Sequence, residues 1–213
     1  MKKWTLILLI VAGHAFAQSN HAVHDYSVIR PAGWIIPKTD TLDYSIEQAK
    51  GKQVLTLKRK FANSKSASIA YPKKLNFKDG VIELDMASPA GQNEYIGIAF
   101  RIKDDHHYET LYFRPGSSGT INAIQYMPEK KAEFNWWDYE DTKYQAKADL
   151  PLTGWFHVKA EVKGRQLTVF INRQPKPVFV YKELDPGLQS GSVGFWLGNS
   201  SAGTYKNLII KTN

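Results

Sequence analysis

Three runs between residues 95 and 126 alternate in the same way. In 95–101, Ile96, Ile98 and Phe100 alternate with Gly97, Ala99 and Arg101. In 108–114, Leu111 and Phe113 alternate with Thr110, Tyr112 and Arg114, and in 122–126 Ile124 and Tyr126 alternate with Ala123 and Gln125. Side chains on a strand point to opposite faces with period two, so the pattern predicts three strands with one greasy face suited to a core. The other face carries small residues, two arginines, a tyrosine and a glutamine. Small residues leave a hollow, and planar polar groups at its rim suit a ligand groove on a sheet.

The same reading predicts strands over 52–58, 66–71, 81–87, 155–163, 166–172, 178–181, 191–197 and 205–211. Phe156, Val158, Ala160 and Val162 form one core face, and Val193, Phe195 and Leu197 another. Turn chemistry separates the runs, with Asp79-Gly80, Pro89 to Gly91 and Lys163-Gly164-Arg165. No segment keeps a helical period; single helical turns are expected at 45–50 and 181–188. About a dozen short strands with Gly/Pro/Asp turns predict an all-β fold, an antiparallel jelly-roll β-sandwich.

The first 17 residues read as a signal peptide: Lys2 and Lys3, a short apolar run, then Ala15-Phe16-Ala17 as a cleavage pattern before Gln18. Residues 18–36 read as an N-terminal leader with no clear period, and 37–213 as one domain. A secreted or periplasmic location and no membrane span are expected. The chain has no cysteine, which removes disulfides, thiolate metal sites and a cysteine nucleophile. The formal charge of +8 includes Lys2 and Lys3, and the basic residues are scattered. Lys58-Arg59-Lys60 reads as a solvated edge, so nucleic acid is not an expected partner.

The closing segments resemble the concanavalin A-like lectin/glucanase superfamily. They are Gly154-Trp-Phe-His-Val-Lys-Ala-Glu-Val162, the strand over 166–172, Gly191-Ser-Val-Gly-Phe-Trp-Leu197 and the final run over 202–210. The order Leu111-Tyr-Phe-Arg-Pro115, Ala123-Ile-Gln-Tyr126, a tryptophan loop and Gly154-Trp-Phe-His157 is similar to a laminin-G-like, 3-keto-disaccharide-hydrolase-like group of exported bacterial proteins. That resemblance implies an association with sugar polymers and glycosides. It brings no established catalytic residue.

Arg101, Tyr112, Arg114 and Gln125 are expected to line a ligand site for a sugar, an acidic or oxidised one included, since arginine pairs with carboxylates or adjacent hydroxyls and glutamine offers a donor and an acceptor. Trp136 and Trp137, in the aromatic loop over 127–152, are expected to stack on sugar faces. Laminarinase-type sandwich enzymes carry Glu-x-Asp-x-x-Glu on one strand; here Glu83 and Asp85 match but Ser88 replaces the second glutamate, which leaves a polar outer face. Glu109, Asp138 and Glu140 are the remaining acid candidates. Asp104-Asp-His-His107 reads as a turn rather than a metal site, because adjacent strand residues face opposite ways, and His157 as a hydrogen-bonded structural histidine. No phosphate loop or dinucleotide fingerprint is present, and neither metal nor cofactor is expected. Three functions stay open: a carbohydrate-binding module using its concave sheet, a glycoside hydrolase or lyase of the 3-keto-disaccharide type, and a structural interaction domain.

Overall fold

A computed structural model describes residues 22–36, 42–49, 51–60, 67–89, 94–130, 136–198 and 202–213. The expected signal segment and its cleavage site, Ser66, Ala90, Gly91 and residues 131–135 of the aromatic loop lie outside the described residues.

The described strands are β1 (Ala22–Asp25), β2 (Trp34–Ile35), β3 (Leu42–Ala49), β4 (Lys52–Arg59), β5 (Ser68–Pro72), β6 (Gly80–Ser88), β7 (Ile96–Asp104) and β8 (His107–Phe113). They continue with β9 (Ile124–Glu129), β10 (Gln145–Ala146), β11 (Gly154–Lys163), β12 (Gln166–Ile171), β13 (Phe179–Tyr181), β14 (Ser192–Leu197) and β15 (Ala202–Thr212). They form two antiparallel sheets. An eight-stranded sheet runs β13-β12-β11-β6-β15-β4-β3, with β1 also paired to β15, and a seven-stranded sheet runs β10-β9-β8-β7-β14-β5-β2. No described helix is long and apolar enough to cross a membrane.

The alternation read from the sequence builds the layer between the sheets. Leu55, Leu57, Ile82, Leu84, Met86, Phe156 and Val158 come from one sheet, and Ile96, Ile98, Phe100, Leu111, Phe113, Val193 and Phe195 from the other; all are buried in one cluster. Each such side chain contributes about 1.5–3 kcal/mol on burial. A second apolar cluster covers the outer face of the seven-stranded sheet: Ile69, Tyr71, Ala99, Tyr108, Tyr112, Met127 and Trp196. This sheet is therefore packed on both faces, and its outer face is not the bare hollow expected.

Several expectations change. Residues 45–49 form no helical turn; they belong to β3, which pairs Leu42 with Arg59 through Ala49 with Lys52. Gly51, at φ +76°, takes the left-handed turn position of that hairpin. Past Tyr181 the chain continues without helix, held where Leu184 N–H donates to Arg165 O (3.0 Å). Within the leader, β1 and β2 join the two sheets, and Trp34 stacks on Phe195 with 5.4 Å between ring centres. Arg59 is not part of a solvated edge. It is buried and donates from Nη2 to Ser68 Oγ (2.9 Å) and from Nε to Gly198 O (3.2 Å), so it ties β4 to the opposite sheet.

Candidate functional site

The outer face of the seven-stranded sheet has its register set by β7, β8 and β9. Gly97 lies opposite Tyr112, Tyr112 opposite Gln125, and Gly97 opposite Trp196 on the other side. Across the gap left by Gly97, the rings of Tyr112 and Trp196 stack with centres 5.1 Å apart.

Three of the four expected ligand residues meet here. Tyr112 O–H donates to Gln125 Oε1 (2.6 Å). Arg114 Nη2 donates to Tyr112 Oη (2.8 Å) and Gln125 Oε1 (2.5 Å). Gln125 Nε2 donates in turn to the carbonyls of Trp136 (3.1 Å) and Tyr139 (2.7 Å), which pins the 3-10 turn Trp136–Tyr139 over the sheet. Tyr112 and Gln125 are fully buried, so they hold Arg114 and the loop in place rather than face a ligand. Burial pushes the Tyr112 phenol up to about 12, and it stays a proton donor at neutral pH.

Arg114 is half-buried. Its guanidinium carbon lies 5.5 Å from the ring centre of Tyr95, 5.3 Å from that of Tyr112 and 5.6 Å from that of Trp136, a cage that favours a cation. Its Nε is buried with no hydrogen-bond partner. Tyr95, Arg114, Gly116 and Ser117 line a recess of about 80 Å3 beside it. Trp136 packs edge-on against Trp137, with ring centres 6.0 Å apart. Trp137 is 47% exposed. Thus one tryptophan turns in and its neighbour turns out.

Arg101 does not join this group. The pairing of β7 with β8 shifts after Phe100, and that with β14 passes from Phe100 to Ile102. Arg101 is the extra residue of a β-bulge, at φ +51°, so its side chain leaves the face of Ala99. Gly191 makes room for the bulge: a Cβ there would lie 2.2 Å from Ile102 O. Arg101 is buried, and Nη1 donates to Glu109 Oε1 (3.0 Å) and Leu188 O (3.2 Å). Nη2 donates to Asp79 Oδ1 (3.2 Å) and Gly164 O (2.6 Å), and Nε to Lys78 O (3.0 Å). All five of its N–H groups are thereby spent on structure.

Glu109, an expected acid, is its buried partner and not a surface catalyst. It shares the inward parity of Leu111 and Phe113, and that was the overlooked signal: a core-facing carboxylate requires a cation or donors nearby. Tyr126 O–H (2.7 Å) and Asp185 N–H (3.3 Å) also donate to it. Burial nevertheless lifts its carboxyl from 4.5 to about 7, against the opposing pull of Tyr126 and Arg101. Because the folded value exceeds the unfolded one, its stabilising contribution is complete below about pH 4.5 and is lost as pH rises through 7. Thermal melts at pH 5 and pH 8 are expected to show a fall in melting temperature that Glu109→Gln reduces; an equal fall in both proteins would contradict this assignment.

Asp138 and Glu140 are exposed, and Glu140 acts on the Tyr112 phenol through its charge. Glu83 and Asp85 lie on the outer face of the other sheet. Asp85 accepts from His157 Nδ1 (2.8 Å) and Asn207 Nδ2 (2.5 Å), and Glu83 from Lys211 Nζ (3.0 Å). His157 is hydrogen-bonded, as its strand position implied. Asp104 caps its own turn, accepting from His106 N–H and His107 Nδ1 at 2.8 Å each. Among the described residues no group of three or more acids and histidines has a metal-binding arrangement.

No family model matches the chain, and no curated protein matches it in sequence. Solved structures do. The carbohydrate-binding module CBM66 of Bacillus subtilis superposes with a TM-score of 0.58 at 13% identity, over 84% of this chain and 95% of that one. The β-glucanase of Bacillus licheniformis gives 0.57 at 10% identity, over 92% and 99%. A Bacillus subtilis protein of unknown function with a galectin-like fold gives 0.54 at 12%, over 85% and 91%. Two antiparallel sheets in this order, one shared core and these superpositions give the chain the concanavalin A-like jelly-roll fold.

Proposed function

We propose that this chain is an exported carbohydrate-binding sandwich whose glycan site lies on the outer face of the seven-stranded sheet, centred on Arg114. The observation that carries the reading is the Arg114 guanidinium: caged by three rings, fixed on one side by Tyr112 and Gln125, and left with a buried Nε that has no acceptor. A buried donor without a partner costs about 1–3 kcal/mol. A sugar hydroxyl or carboxylate entering the recess beside Tyr95 and Ser117 meets the part of Arg114 that lines it. Exposed Trp137 offers a flat apolar surface to the next ring at little entropy cost. Likeness in fold to a carbohydrate-binding module and a β-glucanase supports the ligand class. The pattern of residues 1–17 supports export.

A glycan array followed by calorimetry on the best hit tests this. Arg114→Ala is expected to weaken binding by tenfold or more, about 1.4 kcal/mol for each tenfold, and Trp137→Ala by a smaller factor, with melting temperatures preserved. Undiminished binding in both variants overturns the reading. The hydrolytic alternative retains Asp138 and Glu140 as acids, and nothing described pairs either with a base; turnover of a glycoside panel that Glu140→Gln abolishes would favour it.

A further inference from the structure

The opposite face of the sandwich holds a second cavity that the Arg114 site does not use. On the outer face of the eight-stranded sheet, Glu83, His157, Lys159, Phe170, Arg173 and Gln174 line a recess of about 300 Å3, at the lower end of ligand-pocket sizes and ample for one pyranose ring. Sheet register builds its floor: Lys159 lies between Glu83 on β6 and Phe170 on β12. Its rim is the turn after β12, where Asn172 and Arg173 both take left-handed conformations, φ +51° and +59°. Asn172 is locked by its Oδ1, which accepts from His157 N–H (3.0 Å), and by its own N–H, which donates to His157 O (2.9 Å).

The charges in this recess are unevenly spent. Lys159 Nζ is bound to Glu161 (2.6 Å) and sits 4.9 Å from the ring centre of Phe170. Glu83 Oε1 is taken by Lys211. Glu83 Oε2 stands 3.6 Å from His157 Nε2, too far for a hydrogen bond, and borders the cavity as an acceptor for a ligand hydroxyl. His157 Nδ1 is held by Asp85, so Nε2 faces the cavity in a fixed orientation. Arg173 has no ion pair or hydrogen bond among the described residues, and its planar fork matches a carboxylate.

We infer that this recess binds a sugar acid, one hexuronate ring, with its carboxylate on Arg173 and a ring hydroxyl donating to Glu83 Oε2 beside His157. The charges of the recess favour a monoanionic ligand. A neutral sugar leaves Arg173 unanswered, and a doubly charged phosphate meets the Glu83 carboxylate. The site is on the other sheet from Arg114, so its occupancy does not depend on that one.

The test is a titration of the mature protein with methyl glucuronoside and methyl galacturonoside, followed by NMR of the His157 ring and the Arg173 Nε–H. Methyl glucoside and acetate serve as controls. A uronoside is expected to shift both signals saturably, with neither control doing so at the same concentration. Arg173→Gln is expected to weaken the binding read at the His157 ring at least tenfold, and Glu83→Gln severalfold. Equal response to acetate or to methyl glucoside, no shift at His157 with either uronoside, or full binding by folded Arg173→Gln overturns the assignment. The wild-type titration decides the matter even where a variant fails to fold. Uronoside binding lost in Arg114→Ala but kept in Arg173→Gln would instead place the acid sugar on the seven-stranded sheet.

Discussion

Arg101→Ala is expected to lower folding stability by about 3–5 kcal/mol, the range found when one member of a buried ion pair is removed. The cause is the number of groups released at once. Glu109, fully buried, loses its cation, and the carbonyls of Lys78, Gly164 and Leu188 lose their donor. Without the guanidinium, the Glu109 carboxyl protonates, which limits the damage at low pH; the loss is therefore larger at pH 8 than at pH 5. Urea unfolding at the two pH values measures both quantities. Arg101→Met combined with Glu109→Leu is expected to recover part of the loss by replacing the ionic partners with apolar volume, while the orphaned carbonyls keep the double variant below wild type. A single variant within about 1 kcal/mol of wild type would show that the five segments meeting at Arg101 do not depend on it.

Gly97→Ala is expected to cost about 3 kcal/mol, at the upper end for overpacking. An added Cβ would sit 2.3 Å from Leu111 O and 2.8 Å from Tyr112 Cα. Both are backbone atoms of β8, so no rotamer change relieves the clash. β7 and β8 must separate, and the Tyr112–Trp196 stack over Gly97 separates with them. The denaturation midpoint should fall, and near-ultraviolet circular dichroism should lose part of its aromatic signal in the native baseline. Because Tyr112 orients Arg114, glycan affinity is expected to fall as well in the fraction that remains folded. A Gly97→Ala protein with wild-type midpoint and spectrum would mean that the two strands yield more easily than their spacing implies.

What the sequence made legible was the inner layer. The alternation of Ile96, Ile98 and Phe100, of Leu111 and Phe113, and of Val193, Phe195 and Leu197 marks side chains that are buried between the sheets, because period two is a geometric property of any strand. The outer face was harder. Gly97, Ala99 and Thr110 suggested a hollow, but Tyr108, Tyr112, Met127 and Trp196 come together there from three strands, and pairing between distant strands is not written in local pattern. Arg101 was misplaced for a different reason: one inserted residue reverses the facing of the positions after it, and Ile102 continues the apolar alternation as though no bulge existed. The acidic residue among the inward positions of β8 was the available warning. For the second recess, His157 was legible as a bonded residue, whereas the approach of Arg173 from the turn depends on two left-handed residues that no composition signals.

The position of β15 bears on how the molecule comes to be made. It lies between β6 and β4 and also pairs with β1, so the middle of the eight-stranded sheet is supplied by residues 202–212. Until those residues leave the ribosome, β6, already beside β11, and β4, already beside β3, have no strand between them, and the halves of the sheet stay apart. Closure then joins partners more than a hundred positions distant, a slow step by the usual dependence of rate on contact distance. The sheet therefore stays open until synthesis of this region is finished, a state in which chaperones can hold the chain.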